Sequence, residues 1–303
     1  MISRNVYQLG ADRMTEDHGV IVAALTPRGK KGDLDFGAAF ELIDRLCAAQ
    51  VRGIALFTAA GEYPAFSLEE RNRLLYLAVK RSRVPLYAGA GAIRLDESLS
   101  LAREAQRAGA EGIFLPPPHF FPYPQEEIRE FYLQFACQMG RGIPAYLANT
   151  PAVTTAIAPE TATCLLASGH FAGIADAAAD AARYASFPVA YLSCDDANLA
   201  ESRRGGAHGV LSSAACAIPE LVVALDGALR NGDRERGARL ESMLQEFLGW
   251  AGEFPFPVLV KVAAGLRGVK VGAQSVPLSP GRQSRLDAFG VWFQGWLPAL
   301  KGL

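Results

Sequence analysis

Short apolar runs recur along the chain, and between them lie longer stretches in which apolar residues return every three or four positions. In one such stretch Phe36, Phe40 and Ile43 follow this spacing, which predicts an amphipathic helix. Ser67 and Glu70 predict a capping box at the start of another. Eight of the apolar runs have the length and composition of β-strands. They cover residues 19–25, 53–57, 84–88, 112–115, 143–147, 171–175, 189–193 and 209–212.

The spacing of the predicted strands points to one architecture. Their first residues are 18 to 34 positions apart, which is the length of a strand followed by a helix. Eight such units predict a closed (β/α)8 barrel. The alternative is a doubly wound open sheet with a dinucleotide site. The one glycine-rich candidate for that site, Gly89-Ala90-Gly91, lacks the third glycine that a pyrophosphate-binding turn needs.

The pattern changes after residue 231, where helical stretches follow one another without strands between them. They cover residues 233–252, 257–266 and 280–297. The sequence therefore predicts an α/β protein in three parts. These are an N-terminal segment over 1–18, a (β/α)8 TIM barrel over 19–231 and a C-terminal helical extension over 232–303. We expect the extension to pack on the barrel, where it covers the barrel or takes part in oligomerisation.

Composition and charge narrow the range of functions. Half of the 303 residues are hydrophobic and 20% are charged, as in folded globular proteins. Lysine and arginine together number 30 against 31 acidic residues. The chain therefore lacks the excess of positive charge that nucleic acid or an anionic membrane surface requires in a partner. We expect neither of them to be a partner.

Cysteine usage and the N-terminus predict a cytoplasmic protein. The five cysteines are odd in number and far apart, and none forms a C-x-x-C motif. This pattern is typical of reduced thiols in the cytoplasm. The N-terminus carries charges throughout and has no apolar core, so it does not resemble a signal peptide. No apolar run reaches the roughly 18 residues of a membrane span.

The cations are unevenly divided, because only six of the 30 are lysines. They are Lys30, Lys31, Lys80, Lys261, Lys270 and Lys301. Barrel chemistry takes place at the C-terminal ends of the strands. Lys80 precedes a predicted strand and so belongs to the opposite mouth, while the last three lysines belong to the predicted extension. Lys30 and Lys31 lie in a polar turn that we expect to face solvent.

Five segments, taken in order along the chain, carry a resemblance to a known family. They are GVIVAALTP at 19–27, FTAAGEYPAFSLEER at 57–71, VPLYAGAG at 84–91, AGAEGIFLPPP at 108–118 and PVLVKVAAG at 257–265. Together they resemble the dihydrodipicolinate synthase/N-acetylneuraminate lyase family, the class I pyruvate-dependent aldolases and dehydratases. The resemblance implies a TIM barrel with a keto-acid pocket at its mouth, lyase chemistry without a cofactor or metal, and a homo-oligomer, either a dimer or a tetramer.

The resemblance also implies a lysine at the end of the sixth strand, which would form a Schiff base with the keto group of the substrate. The family motif G-I-K-[DE] reads Gly-Ile-Ala-Asp here, with Ala175 in the place of the lysine. Ala59 and Ala60 replace both threonines of the family's G-T-T-G-E loop. Ala148 replaces the acid–base tyrosine of its Y-N-x-P motif. The comparison therefore implies that the Schiff-base reaction is lost.

Six polar residues remain at the predicted mouth as candidates for the pocket. They are Thr58, Glu62, His119, Asn149, Asp176 and Asp195. Glu62 and Asn149 match family positions that hold loops together. Asp176 and Asp195 are placed to cap the helices that follow them. His119 stands where relatives place a tyrosine, and contact with a ligand, a neighbouring subunit or solvent stays open.

These residues leave three functions open. In the first, a keto acid or sugar acid still binds, and Glu62, His119 or Asp176 transfers protons without a covalent intermediate. In the second, the protein is a non-catalytic binder of a small carboxylate or keto acid, or an assembly partner of an active homologue. The alanines favour this second function. In the third, the histidine and the three acids of the set hold a divalent metal for a lyase or hydrolase reaction. Their origin in four separate loops disfavours it.

Overall fold

The computed structural model describes residues 17–303, so most of the predicted N-terminal segment lies outside the described residues. Eight parallel strands form a closed barrel in which each strand pairs with the next along the chain. They are β1 (Gly19–Ala23), β2 (Gly53–Leu56), β3 (Leu86–Gly89), β4 (Gly112–Leu115), β5 (Ala145–Asn149), β6 (Gly173–Asp176), β7 (Ala190–Ser193) and β8 (Gly209–Ser212). The ring closes where Gly19 pairs with Gly209. The predicted barrel is confirmed, and no strand end differs from its predicted position by more than two residues.

In the described chain, α-helices follow every strand except β6. They are α1 (Phe36–Ala48), α2 (Leu68–Arg81), α3 (Leu95–Ala108), α4 (Gln125–Met139), α5 (Pro159–Ala167), α6 (Leu199–Arg204) and α7 (Pro219–Arg230). A short 3₁₀ helix, Ala181–Tyr184, follows β6 instead. The predicted C-terminal helices are confirmed as α8 (Arg234–Ala251), α9 (Val258–Leu266) and α10 (Pro280–Trp296). None of the helices within residues 17–303 has the length and hydropathy of a transmembrane span.

The start of α2 shows how local sequence fixes an element near the barrel mouth. Ser67 Oγ accepts a hydrogen bond from Glu70 N at 3.2 Å, and Glu70 Oε2 accepts one from Ser67 N at 2.9 Å. This is the predicted capping box, which satisfies two donors of the first helical turn. The other oxygen of Glu70, Oε1, accepts a hydrogen bond from Leu34 N at 3.2 Å. One carboxylate therefore starts the helix and also joins it to the loop after β1.

The barrel interior is filled by aromatic rings on one level and by small side chains on the next. The rings of Tyr87, Phe114 and Tyr146 pack with centroids 5.4 to 6.3 Å apart. Ala148 and Ala175 belong to the same interior cluster and are paired in register, two residues beyond Tyr146 in the strand direction. The small side chains therefore lie towards the C-terminal mouth, which is where (β/α)8 barrels carry their sites.

A close approach between neighbouring strand ends requires glycine at position 89. A Cβ atom at Gly89 would lie 1.9 Å from the carbonyl oxygen of Phe57, far inside van der Waals contact. Gly89 ends β3, and Phe57 directly follows β2. Because the atoms that this Cβ would meet belong to the main chain, rotating a side chain cannot relieve the clash.

We predict that Gly89→Ala lowers the free energy of unfolding by about 1–3 kcal/mol, the usual cost of overpacking. Gly227→Ala is the matched control, because position 227 lies in α7 with open space around a Cβ atom. There alanine should raise stability by about 0.5–1 kcal/mol through its better helix propensity. Urea unfolding followed by circular dichroism measures both. Equal stability of Gly89→Ala and the wild type would contradict the close approach.

Candidate functional site

A cavity of about 320 Å³ lies at the C-terminal mouth of the barrel. The strand residues that line it include Ala23, Gly89 and Phe114, and the C-terminal extension covers the cavity through residues such as Leu248 of α8 and Val260 of α9. The other apolar lining residues are Phe57, Ala59, Ala60, Pro116, Ala148, Pro151, Ala152, Val153, Ala177, Leu211, Ala251 and Phe256. The polar lining residues are Thr58, Tyr63, Thr150, Cys194, Asp195, Asp196 and Ser213. The size and the apolar walls are those of a small-molecule site.

Alanines occupy the positions where the resemblance implies catalytic side chains. Ala59, Ala60 and Ala148 line the cavity. The fourth, Ala175, is fully buried in β6, where it pairs in register with Ala148 of β5. Among residues 17–303, neither a lysine nor an arginine lines the cavity. The described wall therefore offers no amine that could condense with a keto group.

Of the six polar residues predicted for the pocket, only Thr58 and Asp195 belong to the cavity wall. Thr58 Oγ1 is buried, and no hydrogen-bond partner for it lies among the described residues. Asp195 Oδ1 accepts a hydrogen bond from Ala197 N at 2.9 Å and caps the short 3₁₀ helix Asp196–Asn198. This is the capping role that the sequence predicts for Asp195.

Asn149 holds the loop after β5 together. Its Oδ1 accepts a hydrogen bond from Ile157 N at 2.9 Å, and its Nδ2 donates to Asp176 Oδ1 at 3.0 Å. Four residues of this loop, 150–153, line the cavity, whereas Asn149 does not. Asn149 therefore shapes the cavity wall from behind, in keeping with the loop-holding role that its family position implies.

Asp176 does not cap an α-helix, although the sequence predicts that it does. Its Oδ1 accepts a hydrogen bond from Ala178 N at 3.2 Å, and in the described chain no α-helix lies between β6 and β7. Tyr191 of β7 accounts for the difference. Its hydroxyl donates to the carbonyl oxygen of Ala178 and accepts a hydrogen bond from Asp180 N at 3.3 Å, which withdraws these main-chain groups from helix formation. Burial raises the pKa of Asp176, which lies outside the cavity wall.

Asp196 is a buried carboxylate that joins the chain after β7 to the chain after β8. It accepts hydrogen bonds from Ser213 Oγ and Ala214 N, both at 2.8 Å, from Ser213 N at 3.1 Å, and from the hydroxyl of Ser212. Burial raises its pKa, and these donors oppose that effect. Because four donors occupy its two oxygens, Asp196 holds the two chain segments of the cavity wall together.

Cys194 presents a thiol to the cavity beside the two aspartates. Its Sγ lies 3.5 Å from the carbonyl oxygen of Asn149. Burial raises the pKa of the thiol well above its usual value, and the carboxylates of Asp176, Asp195 and Asp196 raise it further. Because the thiolate is the reactive form of cysteine, Cys194 is not an activated nucleophile.

His119 contacts Tyr63 and does not line the cavity. Its Nδ1 lies 3.1 Å from the Tyr63 hydroxyl oxygen, and the two rings meet edge to face with centroids 5.3 Å apart. Burial and the charge of Arg71 lower the pKa of His119, so its imidazole is neutral at pH 7. Burial raises the pKa of Tyr63 to about 12, so its hydroxyl stays protonated. The pair therefore places an uncharged hydroxyl at the cavity.

Arg71 is a buried cation that the sequence pattern did not reveal. Its guanidinium donates to the carbonyl oxygens of Gly89 at 2.8 Å and Gly91 at 2.9 Å. It also lies over the ring faces of Phe57 and Tyr63. Burial lowers its pKa to about 10, so Arg71 keeps its positive charge at neutral pH, behind the aromatic wall of the cavity.

Lys261 belongs to the C-terminal extension, as the sequence predicts, yet the structure brings its amine to the barrel. The amine lies 2.8 Å from Glu62 Oε2, and the lysine side chain is only 1% exposed. Lys261 also donates to the carbonyl oxygen of Ala273 at 3.4 Å, and Glu62 accepts a hydrogen bond from Ser275. Burial would raise the pKa of Glu62, but the bonds from Lys261 and Ser275 outweigh it and lower the pKa. The ion pair joins the loop after β2 to α9.

The residues considered for a metal site are not brought together. Glu62 is paired with Lys261, and His119 is bonded to Tyr63. Within residues 17–303, no group of three or more histidine, cysteine, aspartate or glutamate side chains could hold a metal ion. The four candidate ligands therefore do not form a metal site in the described chain.

An eight-stranded parallel barrel with a cavity at its C-terminal mouth places the protein among the (β/α)8 barrels that carry a small-molecule site at this end. Comparison with known proteins gives the family. The family model described as the Dihydrodipicolinate synthetase family matches residues 16–293. The chain therefore belongs to this family.

Three relatives illustrate the likeness. The 4-hydroxy-tetrahydrodipicolinate synthase of Xanthomonas axonopodis pv. citri (strain 306) is 30% identical over 283 residues, which cover 89% of this chain and 92% of that protein. The structure of the 4-hydroxy-tetrahydrodipicolinate synthase from Methylacidiphilum fumariolicum SolV has a TM-score of 0.84 at 25% identity. The match covers 93% of this chain and 98% of that chain. A prophage protein of the same family from E. coli K12, solved in complex with pyruvate, has a TM-score of 0.82 at 26% identity. The match covers 92% of this chain and 98% of that chain.

The buried ion pair is expected to stabilise the fold. Lys261→Met leaves the Glu62 carboxylate without its counter-ion, so the free energy of unfolding at pH 7 should fall by about 3–5 kcal/mol. Because the folded protein lowers the pKa of Glu62 below its usual 4.5, the stabilisation is present in full above that pH. It is lost as the pH falls through the folded value. Urea unfolding measured at several pH values should therefore show that the difference in the free energy of unfolding between wild type and variant becomes smaller as the pH falls from neutral to acidic.

Lys270→Met is the matched control for this prediction. Lys270 pairs with Glu41 at 3.4 Å on the surface, where both side chains are largely exposed. Exposed ion pairs contribute little to stability, so this variant should unfold like the wild type at every pH. If Lys261→Met had the same free energy of unfolding as Lys270→Met at every pH, the prediction that the buried pair stabilises the fold would be wrong.

Proposed function

We propose that this family member binds a small molecule in the barrel-mouth cavity without forming a Schiff base. Ala175 carries the proposal, because it is fully buried in β6 at the position where the resemblance implies the lysine. No lysine among the described residues lines the cavity. The amine of Lys261, which lies at the barrel, is occupied by Glu62. A keto group bound in this cavity would meet no free amine from the described part of the chain.

The other polar groups also favour binding over catalysis. Glu62, His119 and Asp176, the three candidates for proton transfer, lie outside the cavity wall. Tyr63 and Cys194 do line the cavity, but their raised pKa values keep both protonated. Neither group is therefore poised near neutral pH, as general acid–base catalysis requires, and four hydrogen bonds commit the carboxylate of Asp196 to the wall itself.

The charge of the wall bears on the predicted ligand. A carboxylate or keto acid leaving water needs a cation or several N–H donors in exchange. In the described part of the chain no basic side chain lines the cavity, and two of the lining residues are aspartates. A small carboxylate ligand therefore stays a prediction that the wall does not favour.

We also propose that the protein forms a homo-oligomer through the loop after β4. Phe120 and Phe121 are 78% and 57% exposed in this loop, with ring centroids 4.8 Å apart. Phe120 has a φ of 90°, a backbone conformation that bulky residues rarely adopt. Exposed aromatic side chains held in this way are typical of protein–protein contacts.

Reductive trapping tests the absence of Schiff-base chemistry. The protein is incubated with pyruvate and sodium cyanoborohydride, and its intact mass is measured. We expect no adduct, because no lysine among residues 17–303 lines the cavity. The E. coli K12 relative solved with pyruvate is the reference protein, treated in the same way. A reduced pyruvate adduct mapped to any lysine of this chain would overturn the proposal.

Sedimentation velocity tests the proposed self-association. Replacing Phe120 and Phe121 by serine removes the exposed aromatic pair, so we expect the double variant to associate at least about tenfold more weakly than the wild type. Val291→Ser is the control, since this side chain is 76% exposed on α10. A wild type that sediments as a monomer, or a double variant that associates as the wild type does, would contradict the assignment of this loop.

A further inference from the structure

The cavity wall carries acidic side chains and, in its described part, no basic ones. Asp195 and Asp196 both line it. The buried Arg71 lies behind the aromatic wall, where its guanidinium is committed to the carbonyl oxygens of Gly89 and Gly91. Charge complementarity therefore favours a cationic ligand over an anionic one.

Aromatic rings line the cavity across from these acids. In the closed ring of eight strands, β7, which precedes Asp195, lies opposite β3. Phe57 follows β2 and Phe114 belongs to β4, so the two rings flank the strand that faces the acid. Tyr63 and Phe256 add two further rings to the wall. Arg71 already lies over the faces of Phe57 and Tyr63, so the contribution of the rings is to bury the apolar part of a ligand.

One carboxylate of the wall, that of Asp195, has hydrogen-bonding capacity left for a ligand. Asp195 accepts one hydrogen bond at each oxygen, from Ala197 N at 2.9 Å and from Asn198 Nδ2 at 3.3 Å. Since a carboxylate oxygen can accept two, Asp195 can take a further donor at either oxygen.

The thiol of Cys194 indicates the sign of the local field. Burial is the largest cause of its raised pKa, and the negative charges of the Asp176, Asp195 and Asp196 carboxylates are the next causes. A field that disfavours a thiolate at this point of the wall favours a positive group at the same point.

We propose that the cavity binds a small primary amine in its protonated form, with the ammonium group at Asp195 and an apolar body against Phe57 and Phe114. This inference rests on the proposed non-covalent ligand site and adds the chemical class of its ligand. At about 320 Å³, the cavity lies at the small end of the range for ligand sites, which suits an amine with one ring or a short branched chain.

Three probes of similar shape separate charge from size: benzylamine, benzyl alcohol and benzoate. Isothermal titration calorimetry at pH 7 with the full chain measures the affinity of each. We expect benzylamine to bind about tenfold more tightly than benzyl alcohol, because a charge-assisted hydrogen bond adds to the burial of the ring. Benzoate should show no binding, since its carboxylate would face two aspartates.

Asp195→Asn removes the charge and keeps an acceptor for Ala197 N. We expect this variant to bind benzylamine about tenfold more weakly and benzyl alcohol as the wild type does. Asp233→Asn is the matched control, because Asp233 also caps a helix, through Arg236 N at 3.1 Å, but lies outside the cavity wall. It should leave both affinities unchanged. Thermal melting of each variant shows whether the fold is retained.

The amine inference is overturned if benzylamine does not bind, if benzyl alcohol binds as tightly, or if benzoate binds as tightly. An affinity for benzylamine that Asp195→Asn and Asp233→Asn leave equally unchanged would overturn the role of Asp195. These outcomes leave the proposed function standing as long as pyruvate forms no adduct under cyanoborohydride. A lysine adduct, by contrast, would overturn the proposed function whatever the three probes do.

Discussion

The buried ion pair between Glu62 and Lys261 is the interaction on which the barrel mouth depends. It joins two side chains that are 199 positions apart in sequence, one after β2 and the other in α9. Ser275 binds the same carboxylate from the segment after α9. Val260, the neighbour of Lys261, forms part of the cavity wall. This charge pair thus helps to hold the C-terminal extension where it covers the cavity, together with the ion pair between Arg267 and Glu220 of α7.

Small side chains determine the chemistry that is available in the cavity under the extension. Ala59, Ala60 and Ala148 leave the wall apolar, and Ala175 is buried in β6, where the resemblance implies an amine. The charged groups around the mouth have partners within the protein, as Lys261 has in Glu62. The same changes that remove covalent chemistry therefore leave a cavity whose walls are apolar and aromatic, with acids as their only charged side chains among the described residues.

The sequence predicted the architecture well because strands, helices and caps are encoded locally. The capping box at Ser67 and the cap at Asp195 are examples, since each depends on residues two or three positions away. The partner of Lys261 could not be predicted, because it lies in a distant loop. The available signal was one lysine within the apolar run VLVKVAAG, since a buried lysine is almost always paired. The predicted cap at Asp176 was wrong because Tyr191, from the next strand, holds the chain after β6.

No lysine among residues 17–303 lines the ligand cavity of this barrel. A crystal structure of the protein soaked with pyruvate tests most directly whether the cavity can still form a Schiff base. We predict that the amine of Lys261 stays within hydrogen-bond distance of Glu62 and that no electron density joins a lysine to pyruvate. Continuous density from the Nζ of any lysine to the keto carbon of pyruvate would contradict the loss of Schiff-base chemistry.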